Sequence, residues 1–216
     1  MRKRKVYLAA DVGAGSGRVL AAIFEERRIT LEEIRRFDNQ PVSVLGSLHW
    51  DILAIFSEIK RGIQEAVQRY GEDVISIGVD TWGVDFGLTD AYGRLLGIPY
   101  CYRDSRTNGI DVVSEGIMPQ PQRYAIAGIQ HLHFNSIYQL LAESRLQPNA
   151  LAEAKQLLFI PDLLNYWLCG VARNEVTIAS TSELLDAKTG QWSDELIGRF
   201  GLPRGIFGEL VEPGSV

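Results

Sequence analysis

A glycine-rich stretch near the start of the chain limits the folds that this sequence can adopt. An apolar segment over residues 6–10 ends in the carboxylate of Asp11, after which three glycines alternate with small residues up to Arg18. Glycines allow backbone N–H groups to approach an anion closely, while Asp11 and Arg18 add a carboxylate for a divalent metal and a cation. The stretch therefore predicts a loop for the phosphates of a nucleotide with Mg²⁺.

Two common phosphate-binding folds do not fit this stretch. A P-loop requires a lysine followed by serine or threonine after its second glycine, and neither occurs here. A dinucleotide-binding fold requires a crossover of about a dozen residues or more. Here the apolar segment 18–25 is followed at once by charged residues 26–28 and a third apolar-rich segment, 29–37. We therefore predict a glycine hairpin in an antiparallel meander. A hairpin without a ligand is the alternative, and Asp11 at the strand end together with Arg18 argues against it.

A helix and a further strand follow the meander. Apolar residues recur at three- and four-residue steps over residues 52–70, with Asp51 placed to cap the helix and Gly71 to end it. Residues 74–80 are nearly all apolar and β-branched, which is typical of a parallel strand buried on both faces. This order of elements predicts an α/β fold that resembles the RNase H-like core of the actin, Hsp70 and sugar-kinase superfamily.

The sequence changes character at residue 104. We predict a core over about residues 5–103, which ends with strands at 84–89 and 95–102, and a mostly helical part over about 104–200. Further elements are predicted as helices near residues 106–115, 121–127, 135–146, 161–168 and 193–200, and as a strand over 156–160. The helical part is either an insertion in the same domain or a cover for one face of it.

Composition excludes several classes of function. A length of 216 residues suits one large domain or two small ones, and the net charge of −5 without a basic block argues against a nucleic-acid partner. The basic residues 2–5 precede only a short apolar segment, so we predict neither a signal peptide nor a membrane anchor. Cys101 and Cys169 are far apart and fit free, buried thiols of a reducing compartment. We expect a cytoplasmic protein.

A second group of candidate residues follows the predicted strand at 74–80. Asp80 and Asp85 are carboxylates that could hold metal-bound water or sugar hydroxyls. Trp82 offers a flat apolar face to a sugar, and Gly83 exposes its backbone to a hydroxyl. In the alternative interpretation, Trp82 is a core residue and Asp80 is a strand-end carboxylate with internal partners.

Two further segments carry polar candidates. Arg103 and Asp104 place a donor beside an acceptor and could bracket vicinal hydroxyls, whereas the alternative makes Asp104 or Ser105 a helix N-cap. His131 and His133 have the spacing of a zinc-ligand pair, but the sequence indicates no third ligand. We favour polar lining of a sugar pocket for them.

These segments together resemble the FGGY carbohydrate kinases. The resemblance covers four segments in order: 11–18, 79–86, 102–109 and 128–140. Weaker similarity continues through residues 161–168 to the end of the sequence. It is strongest to the subgroup that phosphorylates L-rhamnulose on O1 with MgATP. One departure is residues 135–138, where the broader family commonly has a Lys-x-x-Trp pattern.

The resemblance implies roles for the matching positions. ATP would be bound by the hairpin residues Asp11, Gly13, Ala14, Gly15, Ser16, Gly17 and Arg18. Asp11 would also position Mg²⁺ through water. The ketose would be contacted by Gly83 and four neighbours: Trp82, Asp80, Arg103 and Asp104.

The family places its catalytic aspartate and adenine pocket in a second domain, and no segment here matches either. The resemblance therefore implies an N-terminal domain without a general base and without its C-terminal domain, and we expect negligible catalysis by it alone. A non-catalytic sugar-binding or sensing module is the alternative. An actin-like ATPase of non-sugar function fits the hairpin, but Trp82 and the pair Arg103–Asp104 argue against it.

Overall fold

A computed structural model describes residues 4–215, which form two compact units. Unit 1 comprises residues 4–42 and 51–82, and unit 2 comprises residues 43–50 and 83–215. The basic residues 2 and 3, at which we predicted neither a signal peptide nor an anchor, lie outside the described residues. The predicted boundary near residue 103 separates a core from a mostly helical part, whereas the two units are distinguished by their compactness. The boundary near residue 103 therefore stays a prediction.

The described residues alternate between strands and helices. The strands are β1 (Lys5–Val12), β2 (Ser16–Glu25), β3 (Arg28–Asp38), β4 (Val42–Val44), β5 (Ser47–His49), β6 (Val74–Thr81), β7 (Phe86–Thr89), β8 (Gln156–Phe159), β9 (Asn174–Glu175), β10 (Leu185–Asp186), β11 (Gln191–Trp192) and β12 (Leu210–Val211). The helices are α1 (Ile52–Tyr70), α2 (Ile110–Ile117), α3 (Gln120–Ala127), α4 (Ser136–Leu146), α5 (Pro148–Glu153), α6 (Ile160–Cys169), α7 (Val176–Ala179) and α8 (Asp194–Arg199).

Unit 1 is built on a four-stranded sheet in the order β3-β2-β1-β6. β2 pairs antiparallel with both β1 and β3, and β6 pairs parallel to β1. Val6, Leu8 and Ala21 on one face join Ala66 and Tyr70 of α1 in a buried cluster. This topology confirms the predicted meander, helix and parallel strand.

The ends of α1 match their sequence signals. The Asp51 side chain accepts a hydrogen bond from the N–H of Ala54 at 3.1 Å, and Gly71 ends the helix with a φ of +57°. The prediction that the following strand is buried on both faces is wrong. Ile77 packs against the cluster beneath α1, but Ser76, Gly78 and Asp80 on the opposite face are exposed. The strand therefore alternates between a covered and an open face.

Unit 2 centres on the antiparallel pair β7–β8 and the helices packed around it. Four predicted helices and the predicted strand at 156–160 are confirmed, with ends shifted by a few residues, as α3, α4, α6, α8 and β8. The prediction of one helix over 106–115 is wrong, because Gly109, at a φ of +77°, separates a 3₁₀ turn at Ser105–Thr107 from α2.

The prediction of a strand over 95–102 is also wrong. Only isolated bridges occur there, from Leu95 to Thr89 and from Tyr100 to His49. Pro99 lies in this segment and lacks the N–H that a continuous ladder needs. Within residues 4–215, no helix combines the length and apolar character needed to cross a bilayer.

Candidate functional site

The glycine hairpin of unit 1 is tied down on one side by Asn39. The loop between β1 and β2 is closed by a hydrogen bond from the N–H of Gly13 to the carbonyl of Ser16 at 2.8 Å. Asn39 is buried, and its side-chain amide donates to the Gly13 carbonyl at 2.8 Å while its backbone N–H donates to the Gly15 carbonyl at 3.2 Å. Asn39, which follows β3 and which no sequence pattern indicated, thus fixes the carbonyls of Gly13 and Gly15.

The loop glycines serve different purposes. A Cβ on Gly17 would overlap the ring of Phe37, so this glycine is required by packing within the sheet. A Cβ on Gly15 would have no atom within 4 Å, so the space beside Gly15 is open. Gly13 and Gly15 are not in the left-handed φ region, and the loop is therefore not held by glycine-specific backbone angles. The open space beside Gly15 leaves room for a bound anion.

A row of charged side chains crosses three neighbouring strands beside this loop. Arg18 on β2 lies opposite Asp11 on β1, and its Nε donates to Asp11 Oδ2 at 2.8 Å. Asp80 on β6 lies opposite Asp11 on the other side. Adjacent strands are about 4.8 Å apart, so the two carboxylates stand side by side. The row offers oxygen ligands to a hard cation and a guanidinium to a phosphate.

Trp82 and Asp80 are both accessible, so Trp82 is not the core residue of the alternative interpretation. Asp80 is exposed at the end of β6, and Trp82 is half-buried. The hydroxyl of Thr81 donates to the Trp82 carbonyl at 2.9 Å, which restrains the backbone after the strand. Neither side chain belongs to the buried core of the chain.

The carboxylate of Asp85 is not available to bind a metal ion or a sugar. Its side chain is fully buried, and its Oδ2 accepts from Trp50 Nε1 at 2.6 Å and from the N–H of Tyr102 at 3.0 Å. Its Oδ1 accepts from Gln139 Nε2 at 2.8 Å. The interpretation of Asp85 as a group for metal-bound water or sugar hydroxyls is therefore wrong, because internal donors fill both oxygens. Asp85 instead joins the segment after Gly83 to the segment before Arg103.

Arg103 and Asp104 differ in accessibility. Asp104 is 5% exposed, and its two oxygens accept from the backbone N–H groups of Arg106 at 2.9 Å and Leu48 at 2.7 Å. It therefore has the capping role of the alternative interpretation, and its role as a sugar ligand stays a prediction. Arg103 is exposed, with its guanidinium 5.1 Å from the ring centre of Tyr102. Of the two, Arg103 can reach a ligand.

Aromatic side chains extend from this segment along unit 2. Tyr102 lies 6.3 Å from Trp50 and 5.3 Å from Phe134 between ring centres, and His133 lies 5.1 Å from Phe134. Sequence reasoning missed Tyr102 and Phe134, although each lies inside a segment that the resemblance singled out. Such faces can pack against the C–H surface of a sugar.

The histidine pair is not arranged as a zinc site. His131 Nδ1 is 2.8 Å from the hydroxyl of Tyr138. Among residues 4–215, no group of three or more histidine, cysteine, aspartate and glutamate side chains could hold a metal ion. His133, in contrast, is exposed beside Phe134.

Arg106 and Glu143 form a buried ion pair next to Gln139, one of the hydrogen-bond partners of Asp85. Arg106 and Glu143 are 2.5 Å apart with side chains 5% and 9% exposed, and Arg106 Nη2 donates to Gln139 Oε1 at 2.8 Å. Burial raises the pKa of Glu143, and the adjacent Arg106 opposes that shift. Arg106 also orients Gln139, whose amide group donates to Asp85.

The sequence matches the FGGY family of carbohydrate kinases, N-terminal domain, over residues 6–216. Among curated relatives, a rhamnulokinase from Yersinia pestis (strain Pestoides F) is 42% identical over 210 residues, which cover 96% of this chain and 43% of the relative. A rhamnulokinase from Bacteroides thetaiotaomicron is 42% identical over 209 residues, with 97% and 43% covered. The chain thus spans less than half the length of these relatives.

Solved structures show the same fold. A gluconate kinase from Lactobacillus acidophilus superposes with a TM-score of 0.88 at 17% identity, covering 99% of this chain and 43% of that chain. A glycerol kinase from Plasmodium falciparum, solved with ADP, gives a TM-score of 0.81 at 18% identity, with 95% and 43% covered. At these identities the likeness concerns the fold alone, and it confirms the predicted fold class.

Proposed function

We infer that this chain, which belongs to the FGGY family of carbohydrate kinases, is the N-terminal domain of an ATP-dependent ketose kinase. The proposed reaction converts L-rhamnulose to L-rhamnulose 1-phosphate. The observation that carries the proposal is the row of Arg18, Asp11 and Asp80 beside the open space at Gly15. The names of the relatives at 42% identity support L-rhamnulose as the sugar.

The residues of unit 1 fit MgATP. Residues 14–18 would contact the phosphates through backbone N–H groups, the Ser16 hydroxyl and the Arg18 guanidinium, because the space beside Gly15 admits an anion. Asp11 would hold Mg²⁺ through water, and Asp80 would serve the same ion or a sugar hydroxyl. When bound, Mg²⁺ neutralises negative charge on the phosphates.

The residues of unit 2 fit a polyhydroxylated ligand. Gly83 would contact the ketose through its backbone, and Arg103 would donate to hydroxyl oxygens with its exposed guanidinium. Trp82, the residue before Gly83 in the sequence, would offer an apolar face. Asp104 would act by fixing the backbone beside Arg103, because its own oxygens are occupied.

Transfer to a sugar hydroxyl also requires a general base. We assign none among these residues and expect the base and the adenine pocket in a C-terminal domain, since the curated relatives extend well beyond the matched part. Both cysteines are free thiols, but only Cys101 is buried; the prediction of a buried thiol at Cys169 is wrong, since Cys169 is exposed. An enzyme that uses ATP and carries free thiols is expected in the cytoplasm.

The test compares residues 1–216 with the full-length protein. Both are incubated with L-rhamnulose and MgATP, and ADP release is followed. We expect turnover by the full-length protein and negligible turnover by residues 1–216. Appreciable ketose phosphorylation by residues 1–216 alone would overturn the assignment of the base to another domain.

A sugar-binding or sensing module is the second candidate. It is favoured by the location of Gly83, Tyr102 and Arg103 in unit 2, which is compact without the phosphate hairpin of unit 1. Isothermal titration of residues 1–216 with L-rhamnulose separates the two. Appreciable affinity without nucleotide, together with an inactive full-length protein, would favour the binding module.

A further inference from the structure

The turn that follows Gly83 is held in a strained conformation. Val84 has a φ of +68°, and the N–H of Asp85 donates to the carbonyl of Gly83 at 2.9 Å, which closes a γ-turn centred on Val84. Positive φ is the rare and strained form of this turn, and a β-branched residue seldom adopts it. Such strain persists only where the surrounding structure determines it, and it concentrates at functional sites.

Three side chains impose this conformation. Thr181 Oγ1 accepts from the N–H of Val84 at 3.0 Å. Ser136 Oγ donates to the Val84 carbonyl at 2.6 Å, and Gln139 Nε2 lies 3.3 Å from the same oxygen. Val84 is only 7% exposed, and Ser136 and Gln139 are almost fully buried. The polar groups of Val84 are therefore satisfied by side chains instead of water.

Thr181 has a second contact with the turn. A Cβ on Gly83 would lie 2.9 Å from Thr181 Cγ2, so the threonine methyl group covers one side of Gly83. The hydroxyl of Thr181 donates to the Ile178 carbonyl at 2.7 Å, which fixes the oxygen so that it accepts from Val84. One side chain thus sets both the space around Gly83 and the angle of the residue after it.

We propose that Thr181 is a positioning residue for the ketose: it holds the Gly83–Asp85 turn in the strained form that presents the Gly83 backbone to the sugar. This inference rests on the proposed function of Gly83. Thr181 would not touch the ketose and acts through the turn. Residues 83 and 181 are far apart in sequence, so no local pattern indicates the relationship.

The test uses Thr181→Val and Thr181→Ser in the full-length protein. Valine keeps the shape of threonine but removes the acceptor for the Val84 N–H, whereas serine keeps the acceptor. We expect Thr181→Val to raise KM for L-rhamnulose about tenfold with KM for MgATP within about twofold. Thr181→Ser, which loses only the methyl group beside Gly83, should raise KM for L-rhamnulose by less than about threefold. Thr177→Val is the matched control, because the Thr177 hydroxyl donates to Glu175 and not to the turn.

A structural readout accompanies the kinetics. In residues 1–216, amide exchange at Val84 should be faster in Thr181→Val than in wild type, and unchanged in Thr177→Val. Faster exchange with an unchanged KM for L-rhamnulose would overturn the inference, as would an equal rise of KM for both substrates. If Thr181→Val fails to fold, Ser136→Ala replaces it, with the same selective rise of KM expected.

The activity of the wild-type protein distinguishes failure of this inference from failure of the proposed function on which it rests. A wild-type full-length protein that phosphorylates no ketose overturns the proposed function and this inference together. A wild-type enzyme that phosphorylates L-rhamnulose, combined with an unchanged KM in Thr181→Val, overturns the inference alone.

Discussion

The carboxylate of Asp85 accepts a 3.0 Å hydrogen bond from the backbone N–H of Tyr102. This bond connects the turn that begins at Gly83 with the segment that contains Arg103. The two parts of the proposed sugar site in unit 2 are therefore held by one buried acidic side chain. Their relative placement depends on Asp85 even though Asp85 is closed to ligands.

Replacement of Asp85 by asparagine should destabilise the chain. An amide NH₂ would face Trp50 Nε1, Tyr102 N–H or Gln139 Nε2, each of which is a donor. Because hydrogen bonds to charged groups contribute about 1.5–3 kcal/mol each, we expect a loss of about 2–3 kcal/mol in the free energy of unfolding. Urea denaturation of residues 1–216 measures it.

The control is Asp38→Asn, since Asp38 is exposed at the end of β3. It should change the free energy of unfolding by less than about 0.5 kcal/mol. Equal stability of Asp85→Asn and Asp38→Asn would show that the buried bonds of Asp85 contribute nothing.

Two glycine substitutions should separate folding from phosphate binding. Gly17→Ala places a Cβ against the ring of Phe37 and should cost about 1–3 kcal/mol of stability. Gly15→Ala places a methyl group in open space, so it should fold as wild type but weaken MgATP binding. Thermal melting and titration of the full-length protein with MgATP provide the two readouts. Unaltered affinity in Gly15→Ala would argue against an anion at this position.

Asp11→Asn should reduce activity far more than stability. The pair of Asp11 with Arg18 is about half exposed, and exposed pairs contribute about 0–1 kcal/mol. Loss of a carboxylate beside the proposed Mg²⁺ should lower kcat of the full-length protein by about 100-fold or more. Asp194→Asn, which breaks the exposed pair with Arg204, is the control and should keep wild-type kcat. A kcat in Asp11→Asn equal to that of the control would exclude Asp11 from metal binding.

Asp162 should make stability depend on pH. Burial, with a smaller contribution from the nearby Glu175, raises the pKa of Asp162 from 3.8 to about 7. Between about pH 4 and 7 the folded chain therefore holds a proton that the unfolded chain has released, so this group's contribution to stability falls as pH rises. The slope approaches 1.4 kcal/mol per pH unit at most, and it flattens above about pH 7.

Asp162→Asn removes this titration. The free energy of unfolding, measured from pH 4 to 8 for residues 1–216, should decline more steeply with pH in wild type than in the variant. Parallel curves for the two proteins would mean that Asp162 titrates normally in the folded state.

Local patterns predicted the elements whose causes are local. The helix between Asp51 and Gly71 follows from periodicity and two caps, and the hairpin after Asp11 follows from glycine spacing and short connections. Asp104 was identified as a possible cap because capping needs only the residues that follow it.

The features that the sequence did not predict depend on contacts between distant residues. Phe37 explains Gly17, Asn39 fixes the loop carbonyls, and Thr181 holds Val84. Asp85 was misread because its partners come from three separate parts of the chain. Composition gives no information about which distant donor reaches a carboxylate.

The identity of the product decides whether the chain belongs to an L-rhamnulose kinase. The full-length protein is incubated with L-rhamnulose and MgATP, and the product is examined by ³¹P and ¹H NMR spectroscopy. A ketose kinase of the proposed kind yields one phosphate ester, on O1 of L-rhamnulose, for each ATP consumed, at a higher kcat/KM than for L-fuculose or L-xylulose. A protein that consumes no ATP with any of the three ketoses is not a ketose kinase of this kind.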